Sequence, residues 1–124
     1  MISIIIEATE TTPKVRLDAT SGVFEMSGCS RPNDVFKFYN PIIEWLKKYA
    51  QTPNEQTVFD FNLKYFDTAS SKIIHDIMVK LKEIYNLGKS VTINWHYEAD
   101  DCDLKEVGIE LADIVEFPVN LIAY

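Results

Sequence analysis

The chain has 124 residues, 47% hydrophobic and 25% charged, the size and balance of one soluble domain with a packed core. Its formal charge of −7 is unevenly placed: eight of the 19 acids but one of the 12 basic residues fall between Glu98 and Glu116, leaving eleven of each sign elsewhere. With no cluster of Lys and Arg, this balance argues against nonspecific binding to nucleic acid or to an anionic membrane, both of which need cations set against phosphate.

Cys29 and Cys102 lie far apart, no C-x-x-C pair occurs, and there are two histidines, so neither a metal site, a cofactor motif nor a disulfide is expected. Ile2 to Ile6 is interrupted by Ser3 and ends at Glu7, too short for a secretory signal or a membrane span. The expectation is a cytoplasmic protein with reduced thiols.

In chain order, Ile2–Ala8 is short and β-branched, Lys14–Asp18 alternates, and Val23–Ser27 follows Ser21-Gly22; these predict a strand and then a hairpin. From Asp34 to Ala50, apolar residues recur at three and four, from Val35 and Tyr39 to Leu46 and Tyr49. That is an amphipathic helix, capped by Asn33 or Asp34, in which Pro41 should cause a bend near Asn40 or mark the true start. Thr57–Tyr65 alternates, with Phe59, Phe61, Leu63 and Tyr65 on one face and Asp60, Asn62 and Lys64 on the other, a half-buried strand. A second helix carries the stripe Ile73, Ile74, Ile77, Met78, Leu81, Ile84 and Tyr85 and stops at Gly88. Ser90–Tyr97 alternates again, with His96 on its polar face. A third helix follows with the stripe Leu104, Val107, Leu111 and Ile114 or Val115, and Phe117–Ala123 closes with a strand.

The alternating strands decide the architecture. Helices on both faces would bury Asp60, Asn62, Lys64, Asn94 and His96 without partners, at a few kcal/mol each. The sequence therefore predicts a two-layer α/β domain over residues 1–124, order βββαβαβαβ, with a mixed sheet and its helices on one face.

The junction Asp67-Thr68-Ala69-Ser70-Ser71 lies between a core strand and the second helix. Its oxygens suit a helix cap, and the same hydroxyls at the positive end of a helix dipole suit a phosphoacceptor. Ser71, His75 and Asp76 invite a triad, but Asp76 lies about 100° round the helix from His75 and is not expected to orient that imidazole. Asp60 and Asp67 suggest a phospho-aspartate receiver, but Glu7 and Glu10 are poor substitutes for the acidic pair that such a fold needs after its first strand, and Trp95-His96-Tyr97 supplies no lysine. Phe36 and Phe38 are the aromatics most suited to an exposed partner contact. The acidic stretch reads either as a solvated face or as a docking surface for a basic partner.

The ordered features resemble the SiaC family of small bacterial regulatory phosphoproteins, which look like the STAS domains of anti-sigma-factor antagonists. The resemblance runs nearly end to end: Thr9 to Pro13, the hairpin Gly22 to Gly28, Ser30-Arg31-Pro32-Asn33-Asp34, Pro41-Ile42-Ile43-Glu44-Trp45-Leu46, Tyr65 to Lys72, and Trp95-His96-Tyr97. It implies a STAS-like fold and a non-enzymatic switch. A protein kinase would phosphorylate Thr68, with Ser70 and Ser71 as alternates, and a metal-dependent phosphatase would remove the phosphate. The unphosphorylated form would bind and activate an effector, a diguanylate cyclase in the best-known branch, controlling cyclic-di-GMP and biofilm formation. Where that branch has N-T-S-S, this chain has Asp67-Thr68-Ala69-Ser70. The expected partner surface is Lys64, Asp67, Ala69, Ser70, Ser71, Lys72 and His75. A direct anti-sigma-factor antagonist, and a small-ligand module or enzyme using Ser71 and His75, are the alternative readings.

Overall fold

The computed structural model describes residues 1–124. The elements are β1 (Ile4–Ile6), β2 (Lys14–Asp18), β3 (Val23–Ser30), α1 (Val35–Tyr49), β4 (Gln56–Phe66), α2 (Thr68–Asn86), β5 (Ser90–Tyr97), α3 (Cys102–Val115) and β6 (Asn120–Ala123). They form one six-stranded sheet in sequential order, antiparallel from β1 to β3 and parallel from β3 to β6. The predicted order βββαβαβαβ is the observed one.

The two halves of the sheet follow from how their strands are joined. Between β2 and β3, the Asp18 carboxylate accepts the Thr20 N–H at 2.9 Å and Gly22 turns the chain at φ +72°. A Cβ on Gly22 would lie 2.4 Å from the Gln56 carbonyl oxygen, so this position admits only glycine. The parallel strands need crossovers, and each crossover is a helix whose apolar stripe must be covered. In β2, β4 and β5 buried and half-buried residues alternate, so the three helices share one face of the sheet. Between the layers lie 24 buried hydrophobic residues in one cluster, with Phe24, Phe59, Phe61 and Trp95 from the strands meeting Tyr39, Trp45, Ile74 and Leu81 from the helices.

The open face is polar and partly cross-bonded, although Asn62 Oδ1 is buried there without a partner. Asp60 Oδ1 accepts from Asn94 Nδ2 at 2.9 Å and lies 3.1 Å from His96 Nε2, while Asn120 Nδ2 donates to Asn94 Oδ1 at 3.1 Å. His96 is thus half-buried against a carboxylate rather than merely solvated.

Several local expectations need correction. Helix α1 begins at Val35, capped by the Asp34 side chain, and runs unbroken to Tyr49 with Pro41 inside it; Pro41 does not mark the start. Pro41 is exposed, which leaves the unpaired carbonyl one turn back within reach of water. Tyr65 does not join the core face of β4: it is 54% exposed. Gly28 pairs with Leu63 but Cys29 with Tyr65, so Lys64 is an extra residue that flips the alternation. Phe66 turns inward instead and meets Trp95 edge-on at 6.0 Å. In α2, Tyr85 is likewise exposed. In α3 the buried residue is Val115, while Ile114 is 65% exposed. The last strand begins at Asn120, because Glu116 ends α3 in the left-handed region at φ 57° and Phe117 folds into the core.

Candidate functional site

Because β3, β4 and β5 are parallel and each is followed by a helix, all three helix N-termini lie along the same edge of the sheet. Each carries an aspartate as cap. Asp34 Oδ1 accepts from Lys37 N at 3.1 Å, Asp67 Oδ1 from Ser70 N at 2.8 Å, and Asp101 Oδ1 from Leu104 N at 2.9 Å. Each cap satisfies one of the amides left free in the first helical turn. Asp67 therefore does locally what an asparagine would do at that position, and adds a negative charge.

Thr68 is the first residue of α2 and is exposed. Ala69 is also exposed and Ser71 is half-buried. Ser70 is wholly buried, with its hydroxyl committed: it accepts from Ser30 Oγ at 2.7 Å and donates to the Ser30 carbonyl at 3.1 Å. Ser30 Oγ in turn meets the Tyr39 hydroxyl. Of the three hydroxyls in this loop, Thr68 presents its side chain to solvent most freely and Ser70 offers none.

The buried trio of Ser30, Tyr39 and Ser70 ties the end of β3, the second turn of α1 and the first turn of α2 together beneath Thr68. Burial pushes the Tyr39 phenol up to about 12, against the opposing hydrogen bonds from the two serines. In the sequence Tyr39 falls on the apolar stripe of α1, which by itself gives no sign of this network. The available signal was Ser30, a small polar residue in inward phase with Phe24 and Met26, which needs a buried partner.

The remaining residues of the expected partner surface divide. Lys72 stands one turn after Thr68 on the same helix face. Lys64, at the bulge, is 3.5 Å from Glu98, so the acidic stretch begins at the same edge of the sheet as Thr68. His75 Nδ1 lies 3.2 Å from Asp76 Oδ1, which corrects the expectation that Asp76 would not orient this imidazole: at an exposed helix surface both side chains swing to one side. The imidazole is bonded to Asp76 and not to Ser71, so no nucleophile and base are paired. No group of three or more His, Cys, Asp and Glu side chains is placed to hold a metal ion. Cys29 and Cys102 are both free thiols.

Beside Thr68, a groove of about 340 Å³ runs between α1 and α2, with Phe36, Tyr39, Ile43, Ala69 and Ile73 among its apolar walls and Lys72 on its rim. Phe36 is 79% exposed, whereas Phe38 is half-buried and packs edge-on against Tyr39 at 4.8 Å.

The fold is a two-layer α/β domain with its helices on one face of a mixed sheet, and its parallel edge presents a hydroxyl-bearing helix start beside an apolar groove. The chain belongs to the SiaC family of regulatory phosphoproteins, whose sequence profile matches residues 6–124. It is similar to an uncharacterised protein of Pseudomonas aeruginosa strain UCBPP-PA14, 27% identical over all of this chain and 98% of that protein. It is also similar to the crystal structure of apo-SiaC from Pseudomonas aeruginosa, with a TM-score of 0.89 and 28% identity over 99% of this chain and 100% of that one. A further similar structure, with a TM-score of 0.90 and 26% identity over 98% of this chain and 99% of the other, is the diguanylate cyclase SiaD in complex with its activator SiaC, again from Pseudomonas aeruginosa.

Proposed function

We propose that this protein is a phosphorylation-gated binding protein without catalytic activity of its own. In its unphosphorylated form it binds and activates a diguanylate cyclase. A protein kinase phosphorylates Thr68 and releases the cyclase, and a metal-dependent phosphatase restores the binding form. The observation that carries this reading is the exposure of Thr68 at the capped start of α2, directly beside a groove, while Ser70 is sealed beneath it. The similarity to SiaC, solved in complex with the cyclase it activates, supports the choice of effector. No helix is long and apolar enough to cross a membrane; the proposed place of action is the cytoplasm, where the substrates of a kinase and a diguanylate cyclase are.

The gating follows from elementary electrostatics. Phosphate on Thr68 adds about −1.5 to −2 charges at neutral pH, at a helix N-terminus that tolerates them. Lys72, one turn on, can pair with the phosphate, while Asp67 repels it. The fold therefore survives modification. An effector packed over this edge would have to strip water from the phosphate, a desolvation of several kcal/mol that a moderate interface does not repay. The test is effector affinity for Thr68→Ala and Thr68→Asp. The first is expected to bind like the parent and the second to bind more weakly; equal affinities contradict the reading.

A further inference from the structure

The sheet has two outer strands, β1 and β6, and each leaves a row of backbone N–H and C=O groups without a strand partner. Natural edge strands are shielded from further pairing by charge, by proline or by a covering element. The β6 edge is shielded by charge. Helix α3 makes the crossover into β6, and the stretch from Glu98 to Glu116 holds eight acids and one base. Of those acids only Glu98 has a cation within 4.0 Å, the Lys64 ammonium at 3.5 Å. Two copies paired through β6 would set two such uncompensated stretches side by side, where like charges repel.

The β1 edge has none of these shields. Met1 to Ile6 contains no charged side chain and no proline. Ile2 and Ile5 are 89% and 63% exposed, and strand alternation sets them on opposite faces, so the edge is apolar on both. Above it, Pro41, Trp45 and Lys48 line a concavity of about 500 Å³ on the outer flank of α1, and Trp45 Nε1 donates to the Ile2 carbonyl at 2.7 Å. Strand and helix flank thus form one continuous face. With the strand about 20 Å long and the helix one layer of about 10 Å above it, the face measures on the order of 20 by 15 Å. Joining two such faces buries surface near the lower limit of about 1,000 Å² for a specific interface.

From these features we infer that the β1 edge binds a second copy of this chain, β1 pairing antiparallel with its counterpart about a two-fold axis at Ile4. The edge is self-complementary in that register: Ile2 lies opposite the partner's Ile6 and Ile5 opposite the partner's Ser3, so the junction buries apolar side chains and no charge. The two six-stranded sheets become one continuous sheet, and the dimer is weak and concentration-dependent, as its size requires. Because the strands run antiparallel across the axis, the two Thr68 edges point in opposite directions and neither lies at the junction. The inference stands independently of the proposed function.

The experiment is sedimentation velocity of the whole chain over a range of concentrations, with Ile5→Lys and the control Ile122→Lys on the β6 edge, each first shown to unfold at the parent temperature. The parent is expected to be half dimeric at about 10–100 μM, the weak end of specific association. Ile5→Lys sets an ammonium on each side of the junction and is expected to weaken the dimer at least about tenfold, while Ile122→Lys leaves it unchanged. With Cys29→Ser and Cys102→Ser in place, Ile4→Cys is expected to cross-link to its own copy under mild oxidation, since facing Cα atoms about 4.5–5.5 Å apart suit a disulfide. A parent chain that is still monomeric at about 1 mM, well above that range, overturns the inference. So does a dimer that Ile122→Lys dissociates and Ile5→Lys does not, which would be pairing through β6, and so does a dimer that neither variant affects. A dimer in which Ile4→Cys fails to cross-link overturns the paired strands.

Discussion

Replacing Ser70 by alanine separates a structural hydroxyl from a phosphoacceptor. The side chain is wholly buried, accepts from Ser30 Oγ at 2.7 Å and donates to the Ser30 carbonyl at 3.1 Å. Alanine removes both bonds but strands little: Ser30 Oγ keeps the Tyr39 hydroxyl, and the Ser30 carbonyl keeps the Asp67 N–H at 3.0 Å. The loss is therefore that of two ordinary neutral hydrogen bonds with their partners partly re-satisfied, about 1–2 kcal/mol. For a chain of this length that lowers the melting temperature by roughly 3–8 °C. The assay has two readouts on one sample: urea or thermal unfolding, and phosphate incorporation by the kinase, mapped by mass spectrometry. The account expects a less stable protein that still takes phosphate at Thr68. Unchanged stability would refute the buried network, and loss of the phosphate would refute Thr68 as the acceptor.

Gly108 of α3 faces the Trp95 ring, and a Cβ there would lie 2.6 Å from Cδ1. Gly108→Ala should therefore destabilise by about 1–2 kcal/mol, overpacking outweighing the gain of about 1 kcal/mol in helix propensity; a higher urea midpoint contradicts this packing. Burial pushes the Tyr39 phenol up to about 12 in the folded chain, above the ordinary 10.0 of a tyrosine. The unfolded chain thus loses this proton first as pH rises, and the tyrosine's contribution, complete below pH 10, is lost progressively between pH 10 and 12, by about 2–3 kcal/mol. Urea unfolding of the parent should fall more steeply across that window than that of Tyr39→Phe, and parallel slopes would exclude a burial-shifted Tyr39. Asp67→Ala removes the α2 cap and should cost about 1 kcal/mol, while Asp67→Asn, which can still accept from Ser70 N, should cost much less; equal losses in chemical denaturation would show that the cap is not what Asp67 supplies.

The element order and the one-sided packing were legible because the polar alternation in β4 and β5 leaves no other placement for Asp60, Asn94 and His96. Strand parity past Leu63 was not. The bulge at Lys64 depends on pairing with β3, and a single strand's sequence does not reveal which residue its neighbour skips. The helix start at Asp67 was readable from its own residues, since a capping side chain needs only local backbone geometry. Beneath it, the sealing of Ser70 was not, because its partners Ser30 and Tyr39 are 40 and 31 positions away in sequence. The same limit explains His75 and Asp76: helix angles describe Cβ directions, and two exposed polar side chains can bend past them. The acidic stretch read as a separate patch, and only the parallel topology shows that it begins at the sheet edge that also carries Thr68.

The proposed function turns on whether a phosphate on Thr68 decides the engagement of the cyclase. Its most direct test is cyclic-di-GMP synthesis by the purified cyclase, titrated with this chain in two forms, unmodified and carrying phosphothreonine genetically encoded at position 68. The account predicts that the unmodified chain stimulates synthesis and that the phosphorylated chain needs at least about a hundredfold higher concentration, as a desolvation cost near 3 kcal/mol requires. Equal stimulation by the two forms at the same concentration would contradict it.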